Sequence, residues 1–104
     1  RPFKKAGCAI ALATDFNPGS CRVDNLSFIA TLGALHCHLT TAETMAAITY
    51  VPAQSLKLDS KGHLAEGADA YFLIYDYKNI GDWIADLGQT PPNGVYIRGE
   101  SALD

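Results

Sequence analysis

The apolar run from Cys8 to Thr14 does not alternate between apolar and polar residues. A strand covered on both faces has this pattern, as in parallel sheets and barrels. The run leads directly to Asp15 and then to a turn rich in Asn, Pro, Gly and Ser, residues 17–20. We therefore predict a central, buried strand that brings one carboxylate to a turn, where parallel sheets and barrels place catalytic groups.

Two helices are predicted downstream of this turn. Residues 25–36 are predicted to form a helix, because apolar residues cover most of its circumference. Asp24 precedes this helix and can act as its N-cap. Thr40 and Glu43 have the T-x-x-E spacing of a capping box, which predicts a second helix that begins at Thr41.

The second half of the chain favours shorter elements. Pro52 lacks an amide proton, so we expect the second helix to kink or restart there and to end near Leu58. Three strands and one helical turn are predicted after it: strands over 63–67, 70–77 and 95–99, and the turn of helix over 82–87.

Composition limits the classes of partner. With 104 residues the chain is one domain at most, and its hydrophobic fraction of 48% is ordinary for a globular protein. The net charge of -3 gives no electrostatic footprint for nucleic acid or for an anionic membrane surface. No apolar run approaches the roughly 20 residues that span a bilayer. We therefore expect neither nucleic acid nor membrane as a partner.

The cysteines and the first residue add two expectations. The three cysteines are odd in number and contain no C-x-x-C pair, which argues against a disulfide framework and favours a reducing compartment, the cytoplasm. The first residue is Arg rather than Met, and the strand predicted at 8–14 has no parallel neighbour within the sequence. We expect the chain to be a fragment of something longer.

The motif from Asp15 to Ser20 after an Ala-rich strand resembles the corresponding segment of the imidazolonepropionases, a family of metal-dependent amidohydrolases. The similarity covers most of the chain through about residue 75. It continues in four further stretches: Ala34–His36, Leu39–Glu43, Ala47–Thr49 and Gly62–Gly67.

The resemblance implies an α/β fold in two parts. Residues 1–58 would form the last strand and helices of a metal-dependent hydrolase (β/α)8 barrel. Residues 59–104 would supply the C-terminal strands of a small β-sandwich that is completed by the N-terminus of the same protein. Taken alone, such a fragment would be α+β.

The resemblance also implies a site. By motif position, Asp15 would be both the metal-ligand aspartate and the catalytic carboxylate, and Asn17, Gly19 and Ser20 would contact the substrate. The implied cofactor is one divalent ion, Zn2+ or Fe2+. Because a stable site of this kind needs about three protein ligands, Asp15 alone cannot hold the metal, and we expect the isolated chain to be catalytically inactive.

The activity implied by the resemblance is hydrolysis of the cyclic amide of 4-imidazolone-5-propanoate to N-formimidoyl-L-glutamate, a step of histidine degradation. That small molecule would be the partner, and a homo-oligomer is left open. Two alternatives also stay open. One is another metal-dependent cyclic amidohydrolase or deaminase, and the other is a small α+β interaction module whose strand at 70–77 pairs with a partner chain.

Two further patterns are predicted to be structural. His36 and His38 lie two residues apart at the end of a helix, where side chains point in different directions, so we do not predict a metal pair there. The aromatic residues between Tyr71 and Trp83 are predicted to belong to the core, because aromatic runs in strands are more often core than site.

Overall fold

The computed structural model describes residues 2–103, which form a mixture of helices and a small antiparallel sheet. The elements of this part of the chain, in order, are α1 (Pro2–Lys5), α2 (Leu26–His36), α3 (Thr41–Ile48), α4 (Tyr50–Ser55), β1 (Phe72–Ile74), α5 (Ile80–Ala85), β2 (Gly94–Ile97) and β3 (Glu100–Ser101).

The first predicted helix is confirmed as α2, with a different cap. Asn25 rather than Asp24 is the N-cap residue, and its side chain accepts a hydrogen bond from the amide of Phe28 at 3.3 Å. Asn and Asp cap equally well, so intrinsic capping preference does not decide between them. Asn25 also donates from Nδ2 to the carbonyl oxygen of Gly88 at 2.7 Å, which ties the start of α2 to the turn that follows α5.

The capping box at the start of α3 is confirmed. The amide of Glu43 donates to the Thr40 hydroxyl at 3.2 Å, and the amide of Thr40 donates to Glu43 Oε2 at 2.8 Å. The same carboxylate oxygen accepts from Lys4 Nζ at 2.8 Å. The charge of Lys4 and the amide of Thr40 hold the pKa of Glu43 below its ordinary value, since both stabilise the ionised form.

The helix predicted to restart at Pro52 breaks three residues earlier. Thr49 lies outside helical geometry, at φ -125° and ψ -79°, and separates α3 from α4. The ring of Pro52 would clash with the carbonyl group one helical turn before it, so the distortion appears upstream of the proline. The second segment ends at Ser55 instead of near Leu58.

The sheet runs in the order β1-β2-β3, with both pairs antiparallel. Phe72 lies opposite Tyr96, and their rings stack with centroids 4.7 Å apart. The strands predicted over 70–77 and 95–99 are present but shorter than expected. The strand predicted over 63–67 is wrong, since those residues form a bend and a turn joined by irregular backbone.

The core lies where α2, α3 and α5 meet. Small residues allow these helices to approach one another closely, and Leu39 and Ile84 are the large apolar side chains buried in this core. Thr31 of α2 is 2% exposed and donates its hydroxyl to the carbonyl oxygen of Ile84, which binds α2 to α5 through a buried polar contact.

The central strand predicted over residues 8–14 is wrong for this structure, which has neither strand nor helix there. The exposure of the segment nevertheless alternates: Ile10, Leu12 and Thr14 are half-buried, whereas the three alanines between and before them are exposed. A strand requires neighbouring chains to satisfy its amide and carbonyl groups, and residues 2–103 supply no adjacent strand at this place.

Candidate functional site

The loop of residues 15–20 begins at Asp15 in the left-handed region, at φ 54°. Asp is one of the few residues other than Gly that adopt this conformation readily, because its short polar side chain can bond locally. The side chain of Asp15 is exposed. The chain thus turns sharply at Asp15 and presents a carboxylate to solvent.

Asn17 organises the loop. Its Oδ1 accepts from the amide of Gly19 at 2.9 Å and from the amide of Ser20 at 2.7 Å, as in an Asx turn. Its Nδ2 donates to the carbonyl oxygen of Asp15 at 2.8 Å. Asn17 therefore fixes the backbone on both sides of Pro18 and holds the main chain of Asp15.

The two ends of the loop are joined by contacts that no pattern in the sequence indicates. The amide of Asn17 donates to the carbonyl oxygen of Cys21 at 2.7 Å, and Cys21 Sγ donates to the carbonyl oxygen of Thr14 at 3.1 Å. The Thr14 hydroxyl accepts from the amide of Phe16 at 3.3 Å. Thr14 and Cys21 thus hold the two ends of the loop together. In the sequence, only their positions just before and just after the turn distinguish Thr14 and Cys21 from other residues.

All four predicted site residues lie in this one loop. Gly19 and Ser20 are exposed, and the Ser20 hydroxyl donates to Asn17 Oδ1 at 3.3 Å. A Cβ at Gly19 would lie 3.4 Å from Asn17 Oδ1, an ordinary contact, and Gly19 is not in the left-handed region. In this structure Asn17 and Ser20 bond within the loop, and the carboxylate of Asp15 is the group that faces outward.

A metal ion does not fit the residues of this chain alone. Within residues 2–103 no group of three or more His, Cys, Asp or Glu side chains could hold a metal. His36 ends α2, and His38 follows at φ 57°; both are exposed. Zinc and iron sites take about three protein ligands, whereas the loop offers the single carboxylate of Asp15.

A large cavity lies away from this loop. It has a volume of ≈ 910 Å³, opens to solvent, and is lined mainly by apolar side chains of α2, α3, β1 and α5. Tyr75 and Trp83, whose rings lie 5.7 Å apart, line it and are half-buried. None of the aromatic residues from Tyr71 to Trp83 is buried, so the core role predicted for them is wrong. No helix among the described residues is long and apolar enough to cross a membrane.

Comparison with known proteins shows which family the chain resembles in sequence. The amidohydrolase family model matches residues 1–102. Imidazolonepropionase of Streptococcus gordonii is 37% identical over 105 residues, which covers 100% of this chain and 34% of that protein. Imidazolonepropionase of Fusobacterium nucleatum is 33% identical over 101 residues, 96% of this chain and 24% of that protein.

A third relative, imidazolonepropionase of Hahella chejuensis, is 33% identical over 99 residues, 94% of this chain and 25% of that protein. The chain thus spans about a quarter to about a third of the length of these relatives. Members of the amidohydrolase family generally use a divalent metal. Since the family model matches nearly every residue, the chain belongs to the amidohydrolase family.

Proposed function

We propose that this chain is the C-terminal portion of an imidazolonepropionase, which hydrolyses the cyclic amide of 4-imidazolone-5-propanoate to N-formimidoyl-L-glutamate. The observation that carries the proposal is identity of 33% and 37% to proteins of that name over 96% and 100% of the chain. The outward carboxylate at the sharp turn of Asp15 supports it, because hydrolysis of an amide needs a group that accepts a proton from the attacking water.

Asp15 has two roles in the proposal. It is the catalytic base, and it is one ligand of a divalent site for Zn2+ or Fe2+ whose remaining ligands lie outside this chain. Asn17, Gly19 and Ser20 form the substrate loop. The amides of Gly19 and Ser20 donate to Asn17 Oδ1, and Asn17 Nδ2 donates to the carbonyl oxygen of Asp15, so these hydrogen bonds set the direction of the Asp15 backbone before any ligand binds.

The proposal assigns the two parts of the chain to two parts of a larger fold. Residues 1–58 would be the last strand and helices of a (β/α)8 barrel, and residues 59–104 would be strands of a small β-sandwich. The alternating exposure of residues 8–14 supports the first assignment, since it matches the two faces of an extended strand, and another layer of the larger fold would cover the exposed face. The antiparallel sheet of residues 72–101 supports the second. The free cysteines 8, 21 and 37 support a reducing compartment, the cytoplasm.

A chimera tests the proposal. The matching 105 residues of the Streptococcus gordonii enzyme are replaced by this chain, and loss of the imidazolone is followed by absorbance with Zn2+ or Fe2+ supplied. We expect turnover in the chimera and none from the isolated 104-residue chain. In the chimera, Asp15→Asn should lower kcat by at least about 100-fold, the usual effect of removing a general base.

Asp24→Asn is the matched control, because Asp24 is also an exposed aspartate near the loop and the structure gives its side chain no cap role. It should leave kcat unchanged. A folded, metal-loaded chimera that leaves the imidazolone intact contradicts the proposed substrate, and a panel of other cyclic amides then tests the wider amidohydrolase class. Steady turnover by the isolated chain would contradict the shared metal site.

A further inference from the structure

A second cavity, of ≈ 430 Å³, lies far along the chain from the loop of residues 15–20. Its charged and polar lining consists of Lys61, Asp69, Tyr71 and Arg98, and two alanines complete it. Arg98 stands in the turn between β2 and β3, and the other three precede β1. None of these four residues belongs to the loop of residues 15–20, so this cavity is separate from the site proposed above.

Two cations flank one phenol ring in this cavity. Arg98 Nε donates to the hydroxyl oxygen of Tyr71 at 3.2 Å. Lys61 Nζ lies 4.0 Å from the centre of the Tyr71 ring and donates to Asp69 Oδ2 at 2.7 Å. Because the Tyr71 oxygen accepts from Arg98, the hydroxyl proton of Tyr71 is left to be donated to a ligand.

The charges of the cavity do not balance. Lys61 and Arg98 contribute two positive charges, and Asp69 contributes one negative charge, which Lys61 and Ser60 already hydrogen-bond. Among residues 2–103 the terminal nitrogens of Arg98 have no hydrogen-bond partner. The hydrogen bond from Arg98 and the charge of Lys61 lower the pKa of Tyr71, which reports a positive potential at the phenol oxygen.

The backbone holds Arg98 in an unfavourable conformation. Arg98 and Gly99 both lie in the left-handed region, at φ 53° and 79°, and form a two-residue hairpin turn in which Asn-Gly is the preferred pair. The amide of Gly99 donates to the carbonyl oxygen of Ala70 at 2.9 Å and fixes this turn beside Tyr71. A long cationic side chain thus takes the place that Asn would fill more easily, and its guanidinium points into the cavity.

We propose that the cavity between Lys61, Tyr71 and Arg98 is a binding site for a small monoanionic carboxylate. The planar fork of a guanidinium matches the two oxygens of a carboxylate, and Tyr71 and Lys61 offer further donors. One negative charge compensates the excess positive charge of the cavity. A dianion such as hydrogen phosphate would leave an excess of negative charge beside Asp69.

The test is a titration of the 104-residue chain with acetate as the probe, at constant ionic strength, followed by NMR at Arg98 Nε-H and at the Tyr71 ring. We expect saturable shifts with acetate. Inorganic phosphate, titrated in a second arm, should bind at least several-fold more weakly. Arg98→Met should weaken acetate binding at least 10-fold.

Lys57→Met is the matched control, because Lys57 is also an exposed cationic residue in the left-handed region, at φ 57°, and does not line the cavity. It should bind acetate as the unaltered chain does. Lys61→Met leaves the hairpin turn intact, so it replaces Arg98→Met if that variant loses the β2-β3 turn. Shifts that grow linearly without saturation, phosphate binding as tight as acetate binding, or a Lys61→Met variant that binds acetate unchanged overturns the proposal.

Discussion

The amide of Leu12 donates a hydrogen bond to the carbonyl oxygen of Ala47 at 2.8 Å. This bond joins the segment before the candidate loop to α3, and Leu12 also lies against α2, where a Cβ at Gly33 would come within 2.5 Å of its Cδ1 atom. Asp15 follows three residues later. Two helices, and not a sheet, therefore set where the candidate loop begins in this structure.

The first prediction concerns Asn17. Asn17→Ala removes the acceptor for the amides of Gly19 and Ser20 and the donor to the carbonyl oxygen of Asp15. Each lost bond costs about 0.5–1.5 kcal/mol at most, because the loop is exposed and water can replace the partner. We expect faster amide hydrogen exchange at Gly19 and Ser20, and in the chimera a lower kcat.

Asn17→Asp separates the two functions of this side chain, because it keeps the acceptor and loses the donor to Asp15. Exchange at Gly19 and Ser20 should stay slow in Asn17→Asp. Equal exchange rates in Asn17→Ala and in the unaltered chain would show that the side chain does not organise the loop.

The second prediction compares two buried threonines. Thr31 donates to Ile84 within the core, whereas Thr44, 0% exposed, has no hydrogen-bond partner among residues 2–103. Replacement by Val keeps the shape and removes the hydroxyl. Thr31→Val should cost about 1–3 kcal/mol, since the carbonyl of Ile84 loses its buried donor, and Thr44→Val should be neutral or stabilising.

Urea unfolding of both variants measures the two free energies. Each variant is the other's control, because both positions are helical, buried and β-branched before and after the change. A larger loss of stability in Thr44→Val than in Thr31→Val would contradict the assignment of the buried hydrogen bond.

The third prediction compares two glycines with the same backbone conformation. Gly62 has φ +82° and Gly67 has φ +85°. A Cβ at Gly62 would lie 2.5 Å from the carbonyl oxygen of Thr49 and 2.7 Å from the Cβ of Ala53, whereas at Gly67 nothing lies within 4 Å. Both Ala variants should pay about 1–2 kcal/mol for the left-handed conformation.

Gly62→Ala should cost more than Gly67→Ala, because the added methyl group also pushes against the break between α3 and α4. Thermal unfolding monitored by circular dichroism at helical wavelengths gives the difference. If the two variants melt together, then the contact between Gly62 and Thr49 is not part of the packing.

The fourth prediction concerns acid stability. Lys4 lowers the pKa of Glu43, and Lys61 and then Ser60 lower the pKa of Asp69. A carboxylate with a lowered pKa in the folded state stabilises the fold at every pH above its ordinary value of roughly 4. This contribution is lost as the pH falls through the lowered folded values.

We therefore expect the melting temperature to be flat from pH 7 to about 5 and to fall below about pH 4. Glu43→Gln removes one titrating group and should make the fall shallower. A melting temperature that does not change between pH 7 and pH 3 contradicts these ion pairs.

Features that depend on a few neighbouring residues could be predicted from the sequence. The pair Thr40 and Glu43 acts within one helical turn, so its spacing was sufficient to place the start of α3. The loop from Asp15 to Ser20 was likewise located by its turn chemistry. The choice of Asn25 over Asp24 as a cap was not predictable, because the side chain of Asn25 is also held by Gly88, 63 residues away.

The prediction of a strand at residues 8–14 was wrong because a strand depends on residues that are distant in sequence. Its apolar run is typical of a buried strand, but pairing depends on residues distant in sequence, and residues 2–103 offer none beside it. The hydrogen bonds of Thr14 and Cys21 could not be predicted either, since a thiol that donates to a carbonyl leaves no periodic pattern.

The alternating exposure of residues 8–14 also affects how readily two copies of the chain associate in solution. Ala9, Ala11 and Ala13 form an uncovered row with little to repel a second chain, since small neutral side chains let two backbones approach closely. Lys and Pro, which protect natural sheet edges, do not occur from Ala9 to Thr14. Self-association of the 104-residue chain should therefore increase with its concentration, and measurements on dilute samples will report on the monomer.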